Sequence, residues 1–315
     1  MSESINKKHQ EPDPQPASEE VICALCGADD SNILYQVRDK MLDHPTDGYM
    51  VVRCRHCGLV YVNPRPTPEA KGSFYQGGYV FDSESSSISI EHYLPVIEYL
   101  KEKRHPGKIL DIGTGNSIFL PTMRDLGWQV TGTEVDPDLV DYFKTQYGID
   151  LFCGQLEDAG IPDKSCDAVT VFGVLEHVSD PRLFVEEVYR ILKDDGIFCI
   201  SGFNRSVEAR VLGRYWPGFD PPRHLYSFST ETLSHLLQNA GFEISSVKYP
   251  RLCYVPYSLL WGVQRARNRI TGRKEPTLVR KLPKGFNLLN RPVARLLGDT
   301  GHSSNIYLFA VKKTG

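Results

Sequence analysis

The spacing of apolar and polar positions changes character near residue 107. Ahead of it, Ile33-Leu34-Tyr35 and Tyr49-Met50-Val51-Val52 alternate with the period of a β-hairpin. A helical period then runs over residues 91–103, with Tyr93, Leu94, Ile97 and Leu100 on one face, and His105-Pro106-Gly107 ends it. From Lys108 onward, short apolar runs predict strands at 108–112, 129–134, 150–153, 167–172 and 196–201. The segments between them predict helices at about 117–126, 137–147 and 181–193. A helix over 229–241, closed by Ala240-Gly241, precedes two further strands at 242–249 and 304–312. This alternation implies a largely parallel sheet covered on both faces, with ligands at the carboxyl ends of its strands. The expected fold class is α/β, with a Rossmann-like seven-stranded sheet.

Composition narrows this picture. The 315 residues are enough for one large domain and a small one, and 41% hydrophobic with 24% charged residues is ordinary for a soluble protein. A net charge of −3 argues against a general polyanion binder. No apolar run reaches the roughly 18–20 residues that a membrane-spanning helix needs. The first twenty residues, MSESINKKHQEPDPQPASEE, lack an apolar core, so a cytoplasmic location is expected, and their composition suggests a disordered tail over 1–20. Residues 64–106 read as a Pro-rich linker and the first helix. Residues 107–249 with 303–315 form the main domain. Residues 250–302 form an irregular insertion with eleven Lys/Arg against Glu275 and Asp299. That insertion has two readings: a solvated surface, or a peripheral membrane or anion contact in which Tyr254, Tyr257, Leu259, Leu260 and Trp261 supply an interfacial patch.

Four of the eight cysteines form two CxxC pairs, Cys23/Cys26 and Cys54/Cys57, each followed by glycine. Two thiolates two residues apart reach one metal from a tight turn, and two such knuckles supply a tetrahedral Zn²⁺ site. Residues 21–63 are therefore expected to be a zinc ribbon. Four thiolates leave no open position, so the zinc is structural. His56, inside the second knuckle, is expected at the surface.

The first main-domain strand runs into Asp111-Ile112-Gly113-Thr114-Gly115-Asn116-Ser117 and then a helix. Glycines permit a sharp turn and a close backbone approach to a ligand. The third glycine of a dinucleotide fingerprint is missing, and no Walker lysine follows. Glu134 ends the second strand, placed to accept hydrogen bonds from ribose hydroxyls. The turn therefore suits an adenosine-bearing ligand whose pyrophosphate needs no cradle.

On LDIGTGNS (110–117), VTGTEVDP (130–137), FCGQLEDAGIPDKSCDAV (152–169), VFGVLEHVSDP (171–181) and LKDDGIFCISGFN (192–204), the chain resembles the class I S-adenosylmethionine-dependent methyltransferases. With the CxxC pairs, VNPRP and PPRHLYSFS (221–229), it resembles their zinc-ribbon members from bacterial glycan, sugar and secondary-metabolite pathways. The resemblance implies that Asp111, Gly113, Thr114 and Gly115 hold the methionine end of the cofactor. It puts the ribose on Glu134, and the adenine near Gln155 and Leu156, flanked by Val135. Two positions depart from the pattern: Ser117 replaces a glycine, and Gln155 replaces an acid that contacts the adenine amine.

A small-molecule, sugar or glycan acceptor follows from the resemblance, methylated at oxygen or carbon. His224, in an aromatic-rich loop after the fifth strand, is the preferred general base, with a loop-locking role as the alternative. Asn204 either orients the acceptor or turns the chain. His177 either takes part in catalysis or braces the loop before Asp180-Pro181. In related quinone-pathway O-methyltransferases a similar segment carries one more glutamate and binds a divalent metal. Gly173 stands at that position here, so no catalytic metal is expected. Tyr75 and Tyr79 either close over the cofactor or pack the ribbon onto the domain. Two rivals remain. An RNA methyltransferase is disfavoured by a ribbon with Arg38, Lys40, Arg53 and Arg55 against five aspartates. A non-catalytic interaction module on the same fold would bind no S-adenosylmethionine.

Overall fold

The computed structural model describes residues 17–38, 48–75, 89–251 and 286–313. The N-terminal part contains β1 (Ser18–Glu19), β2 (Ser31–Val37), β3 (Tyr49–Cys54), β4 (Val60–Val62), β5 (Arg65–Pro66) and the short helix α1 (Pro68–Lys71). After α2 (Leu94–Lys103) the chain alternates: β6 (Lys108–Ile112), α3 (Phe119–Asp125), β7 (Gln129–Glu134), α4 (Pro137–Tyr147), β8 (Leu151–Cys153), β9 (Cys166–Phe172), α5 (Pro181–Ile191) and β10 (Leu192–Phe203). It continues through α6 (Val207–Leu212), β11 (Tyr226–Ser227), α7 (Thr230–Asn239), β12 (Phe242–Lys248), α8 (Phe286–Asp299) and β13 (Asn305–Lys312).

Seven strands form the main sheet in the order β12-β13-β10-β9-β6-β7-β8. β6 through β10 pair in parallel, and β13 inserts antiparallel between β10 and β12. The order reverses between β6 and β9, which opens a crevice at their carboxyl ends. The expected α/β sheet is thus present. Helices cover both faces. On one, α5 and α7 bury Phe184, Val185, Val188, Leu233, Leu236 and Leu237. On the other, α2, α3 and α4 bury Val96, Leu100, Phe119, Met123 and Phe143. Each such side chain stabilises the fold by about 1.5–3 kcal/mol relative to full exposure.

The helix starts follow side-chain chemistry. Asp136 and Asp180 cap α4 and α5 by accepting the N–H of Asp138 and of Arg182 and Leu183, each with proline in the first turn. Ser229 caps α7 in a reciprocal capping box with Thr232. Helix α3 starts at Phe119, later than residue 117, because Ser117 Oγ takes the Phe119 N–H at 3.0 Å.

Three sequence expectations need correction. The tail does not stay disordered to Glu20, since Ser18–Glu19 pairs with Arg65–Pro66. β10 begins four residues before 196, continuing directly from α5 with a register shift between Leu192 and Ile197. The insertion is not wholly irregular, because α8 occupies Phe286–Asp299, and Pro292 inside it interrupts the helical signal. Tyr79 and the aromatic stretch Tyr254–Trp261 lie outside the described residues.

β11 is not part of the main sheet. It joins the N-terminal strands in a four-stranded sheet of order β11-β4-β3-β2, with Tyr226 opposite Tyr61 and Ser227 opposite Val60. One face of this sheet packs Val37, Val51 and Val60 on Trp216 and Phe219. On the other, Cys23, Leu25, Val52, Leu59 and Tyr61 run continuously into the core around α5 and α7. The small N-terminal sheet therefore shares both strand and core with the main domain.

Candidate active site

The turn after β6 is built by backbone bonds across to β7. Gly113 and Thr114 donate their N–H groups to Thr133 O at 2.9 and 3.0 Å. Gly113 has φ +66°, and a Cβ there would lie 2.5 Å from Val174 Cγ2, so both conformation and space demand glycine. Gly115, at φ +58°, has only Gly113 O, at 3.9 Å, near a built Cβ, leaving that side open. Asp111 is 1% exposed and accepts a 2.6 Å hydrogen bond from Thr170 Oγ1 on β9. Burial pushes its carboxyl up to about 7. The Glu134 charge adds to this, and the Thr170 and Thr114 hydroxyls oppose it.

Glu134 is held at the end of β7. Its Oε1 accepts from Val135 N–H at 2.7 Å and Asp136 N–H at 3.0 Å, and its Oε2 accepts from Gly115 N–H at 2.8 Å. These bonds clamp the glycine turn to the second strand and leave the carboxylate further acceptor capacity. Gly154 N–H donates to Glu134 O at 2.9 Å, which puts Gln155, the next residue, beside the same strand end. Gln155 is exposed and Val135 is 65% exposed, a bare apolar surface at the lip of the crevice. The Leu156 side chain is buried in the core. The open side of Gly115, the fixed carboxylate and the uncovered valine fit an adenosine carrying a cationic amino-acid tail.

Sequence reading did not anticipate Thr170, which orients Asp111, or Tyr93. The Tyr93 hydroxyl bonds Ser117, and its ring meets Phe172 edge-on at 4.9 Å. Ser117 thus exchanges the freedom of a glycine for two anchoring bonds. The only available signal was a hydrophilic residue in a strand interior (Thr170), which periodicity does not mark.

A second cluster lies beyond the carboxyl end of β9. Glu176 and His177 follow β9, and His224 precedes β11. Leu225 and Tyr226 donate their N–H groups to Glu176 O at 2.8 and 3.2 Å, closing the two loops on each other. His224 Nδ1 donates to Gly218 O at 3.0 Å, and His177 Nδ1 to Arg223 O at 3.1 Å. A carbonyl can only accept, so each neutral ring carries its proton on Nδ1 and presents Nε2 as an acceptor. The rings meet edge-on with centroids 4.6 Å apart. Burial holds the His177 ring well below the usual histidine range, reinforced by His224 and Lys71, and burial raises the Glu176 carboxyl. One donor atom from each of Glu176, His177 and His224 lies within 4.8 Å of the others, so the three could hold a cation. His224 thereby supplies the third donor that Gly173 does not.

The His224 loop is closely packed and internally bonded. Arg223 is fully buried and grips Asp220 through Nε and Nη2, both at 2.9 Å. Trp216 and Phe219 pack edge-on at 5.0 Å, and Phe203 lies 5.5 Å from the His224 ring. Asn204 belongs to this framework: its carbonyl accepts from Thr230 N–H and Oγ1, and its amide donates to Ser303 O at 2.8 Å.

In the N-terminal sheet the four cysteines come together. Cys23 Sγ lies 3.4 Å from Cys57 Sγ, Cys26 Sγ lies 3.6 Å from Cys54 Sγ, and all four fall within 4.8 Å of one another. A tetrahedron with Zn–S of about 2.3 Å has sulfur separations near 3.8 Å, and a disulfide needs about 2.05 Å. Each knuckle closes with a glycine N–H to the first cysteine's carbonyl, Gly27 to Cys23 and Gly58 to Cys54. Burial pushes the Cys23 thiol up to about 11, whereas at Cys54 the knuckle's backbone N–H bonds and neighbouring thiols outweigh burial and bring it down to about 7; four thiolates gathered this closely would need a cation between them. His56 is exposed beside Asp30, outside the sulfur cluster.

A family model described as a methyltransferase domain matches residues 90–247, half of the chain. The chain belongs to this family, the class I S-adenosylmethionine-dependent methyltransferases. It is similar to a "Probable S-adenosylmethionine-dependent methyltransferase" of Mycolicibacterium smegmatis, at 31% identity over 43% of this chain and 52% of that protein. It is also similar to a ubiquinone biosynthesis O-methyltransferase of Xanthomonas axonopodis, at 28% identity over 62% of this chain and 84% of that protein. The chain thus spans about half the length of the mycobacterial relative. Among solved structures, a SAM-dependent methyltransferase from Archaeoglobus fulgidus aligns with a TM-score of 0.47 at 19% identity, over 71% of this chain and 95% of that one. No helix among the described residues is long and apolar enough to cross a membrane.

Proposed function

We propose that this protein transfers a methyl group from S-adenosylmethionine to a small-molecule, sugar or glycan acceptor, with His224 as general base and a structural zinc in the N-terminal sheet. When bound, the cofactor supplies an electrophilic methyl group on a sulfonium. Asp111 and the 113–115 turn hold its cationic end, Glu134 accepts from its ribose hydroxyls, and Val135 and Gln155 flank its adenine. The acceptor lies across the crevice, against the loop of Glu176, His177 and His224. His224 Nε2 takes the proton from the acceptor hydroxyl or acidic carbon as that atom attacks. The observation that supports this role is the Nδ1 bond to Gly218 O, which leaves Nε2 of the neutral ring as the acceptor. Cys23, Cys26, Cys54 and Cys57 hold the zinc. The similarity to ubiquinone O-methyltransferases supports a small-molecule hydroxyl as acceptor.

A second reading of the same cluster is favoured by the proximity of Glu176, His177 and His224 donors: a divalent cation held there would polarise an acceptor hydroxyl. The two readings separate experimentally. His224→Asn keeps the Nδ1-side bond and removes the base, so calorimetry should find unchanged cofactor affinity. Turnover with a labelled methyl donor should fall by about 10²–10⁴-fold. If turnover survives in His224→Asn, the base assignment is wrong. If activity is lost on EDTA treatment and restored by Mg²⁺ or Mn²⁺ in a zinc-replete protein, the cation reading prevails.

A further inference from the structure

Between the N-terminal sheet and the carboxyl end of β10 lies an open cleft of about 730 Å³. Its walls bring together Arg53, Arg55 and His56 from the second cysteine knuckle, Arg205 and Arg210 from the β10–α6 segment, and His302 before β13. Glu231 is the one carboxylate among its lining residues, and Cys54 and Cys57 of the sulfur cluster form part of one wall. Arg55 and His56 are shared with Asp30, at 3.5 and 3.8 Å. Arg53 and Arg210 make no ion pair among the described residues. Arg205 donates through Nη2 to Gly58 O at 3.2 Å, while its Nε is buried with no hydrogen-bond partner among the described residues. The neighbouring Ser206 Oγ is buried and unpartnered in the same way.

An unpaired buried guanidinium N–H has lost its water without gaining a partner, which is unfavourable. Gathering further guanidinium groups around it adds repulsion: burial lowers the Arg205 basicity, and the Arg53 and Arg210 charges lower it further. A fold tolerates such a group when something else supplies the counter-charge. One carboxylate needs one arginine, whereas the three guanidiniums outside ion pairs, Arg53, Arg205 and Arg210, match a multivalent oxyanion with several acceptor oxygens. The first-turn amides of α7 contribute little, because Thr230 and Thr232 already donate to Asn204 and Ser229. The volume is that of a site for one small molecule, about 300–1,000 Å³, rather than the extended basic stripe a nucleic acid requires. The cleft also adjoins the candidate acceptor side. Asn204 lines it, and the preceding residue, Phe203, packs on the His224 ring.

We infer that this cleft is a phosphoryl-binding site that anchors the phosphate or diphosphate end of the methyl acceptor, with Arg205 and Ser206 at its base and Arg53 and Arg210 at its mouth. The acceptor assignment rests on the methyltransferase reading above; the anion site does not. Calorimetric titration of the zinc-loaded full chain tests both, with inorganic pyrophosphate and uridine diphosphate (a diphosphate ester) as probes and S-adenosylmethionine as a separate ligand. Saturable one-to-one binding of both phosphates is expected, each excluding the other and neither displacing S-adenosylmethionine. Arg205→Gln should weaken them by tenfold or more. So should the exposed pair Arg53→Ala with Arg210→Ala, which leaves the core untouched. Absence of saturable pyrophosphate binding, or binding unchanged in the exposed pair, overturns the site. Pyrophosphate binding without uridine diphosphate binding overturns the acceptor role. Far tighter binding of a single-stranded RNA oligomer with a steep salt dependence overturns it in favour of nucleic acid. Absence of S-adenosylmethionine binding with phosphate binding intact would defeat the methyltransferase reading, and the acceptor role with it, while the anion site stands.

Discussion

At the scale of single residues, Asp111 carries the clearest trade between stability and function. Its carboxyl is raised by burial to about 7 from a value of 3.8. Between those values the folded state holds a proton that the unfolded state has released, so stability falls as pH rises through this window. Asp111→Asn removes that slope. The cofactor-free variant should melt higher than the parent at pH 8 and close to it at pH 4, measured by differential scanning calorimetry. The same variant loses the negative charge facing a cationic ligand, so S-adenosylmethionine affinity should drop roughly 10–100-fold, the scale of a charged hydrogen bond. In the parent, affinity should rise with pH up to about 7 and then level, because only the ionised carboxylate pairs with the cation. Gly113 is constrained differently. Gly113→Ala meets a positive φ and Val174 at once, and should cost about 1–3 kcal/mol in denaturant unfolding. Asp111, Gly113 and Glu134 were legible in the sequence because a local strand–turn–strand pattern specifies them. Thr170 was not, because its partner is 59 positions away.

At the scale of elements, the informative feature is β11. Its two residues pair with β4, and the same segment donates to Glu176 O, so one strand ties the ribbon to the His224 loop. Arg65 reinforces the tie: Nη1 donates to Ser179 O at 2.7 Å and to the Tyr226 hydroxyl at 2.8 Å, and Nε bonds Glu19 at 2.8 Å. With the side chain only 13% exposed, Arg65→Met should lower stability by about 1.5–3 kcal/mol. It should reduce turnover more than cofactor affinity, because it loosens the loops on the acceptor side and leaves the glycine turn alone. Equilibrium unfolding and a kcat-against-Kd comparison check this. The long strands and amphipathic helices were readable from periodicity. A two-residue strand has no period, and α8 was hidden by Pro292 and by its basic setting.

At the scale of the whole molecule, the four-cysteine segment is part of the main domain's frame, since Cys23 and Cys54 belong to the same core as α5 and α7. We therefore expect chelation to do more than unravel the N-terminal segment. A colorimetric zinc assay should release one zinc per chain from the denatured protein. Stripping the metal should lower the melting temperature of the main transition and abolish turnover, while retaining weak S-adenosylmethionine binding at the 111–134 side. Full activity in a metal-free, still-folded protein would show that the two parts are independent.

The sequence by itself determined the α/β sheet, the glycine turn with Glu134, and the gathering of the four cysteines, because each is written in spacings of a few residues or in a repeated period. Tertiary structure decided which distant residues share a site. Glu176, His177 and His224 converge only because β9 and the loop before β11 end on the same side of the sheet. Arg53 and Arg205 face one cleft only because β11 seats the ribbon there, and charges scattered over 158 positions, from 53 to 210, look neutral until the fold gathers them.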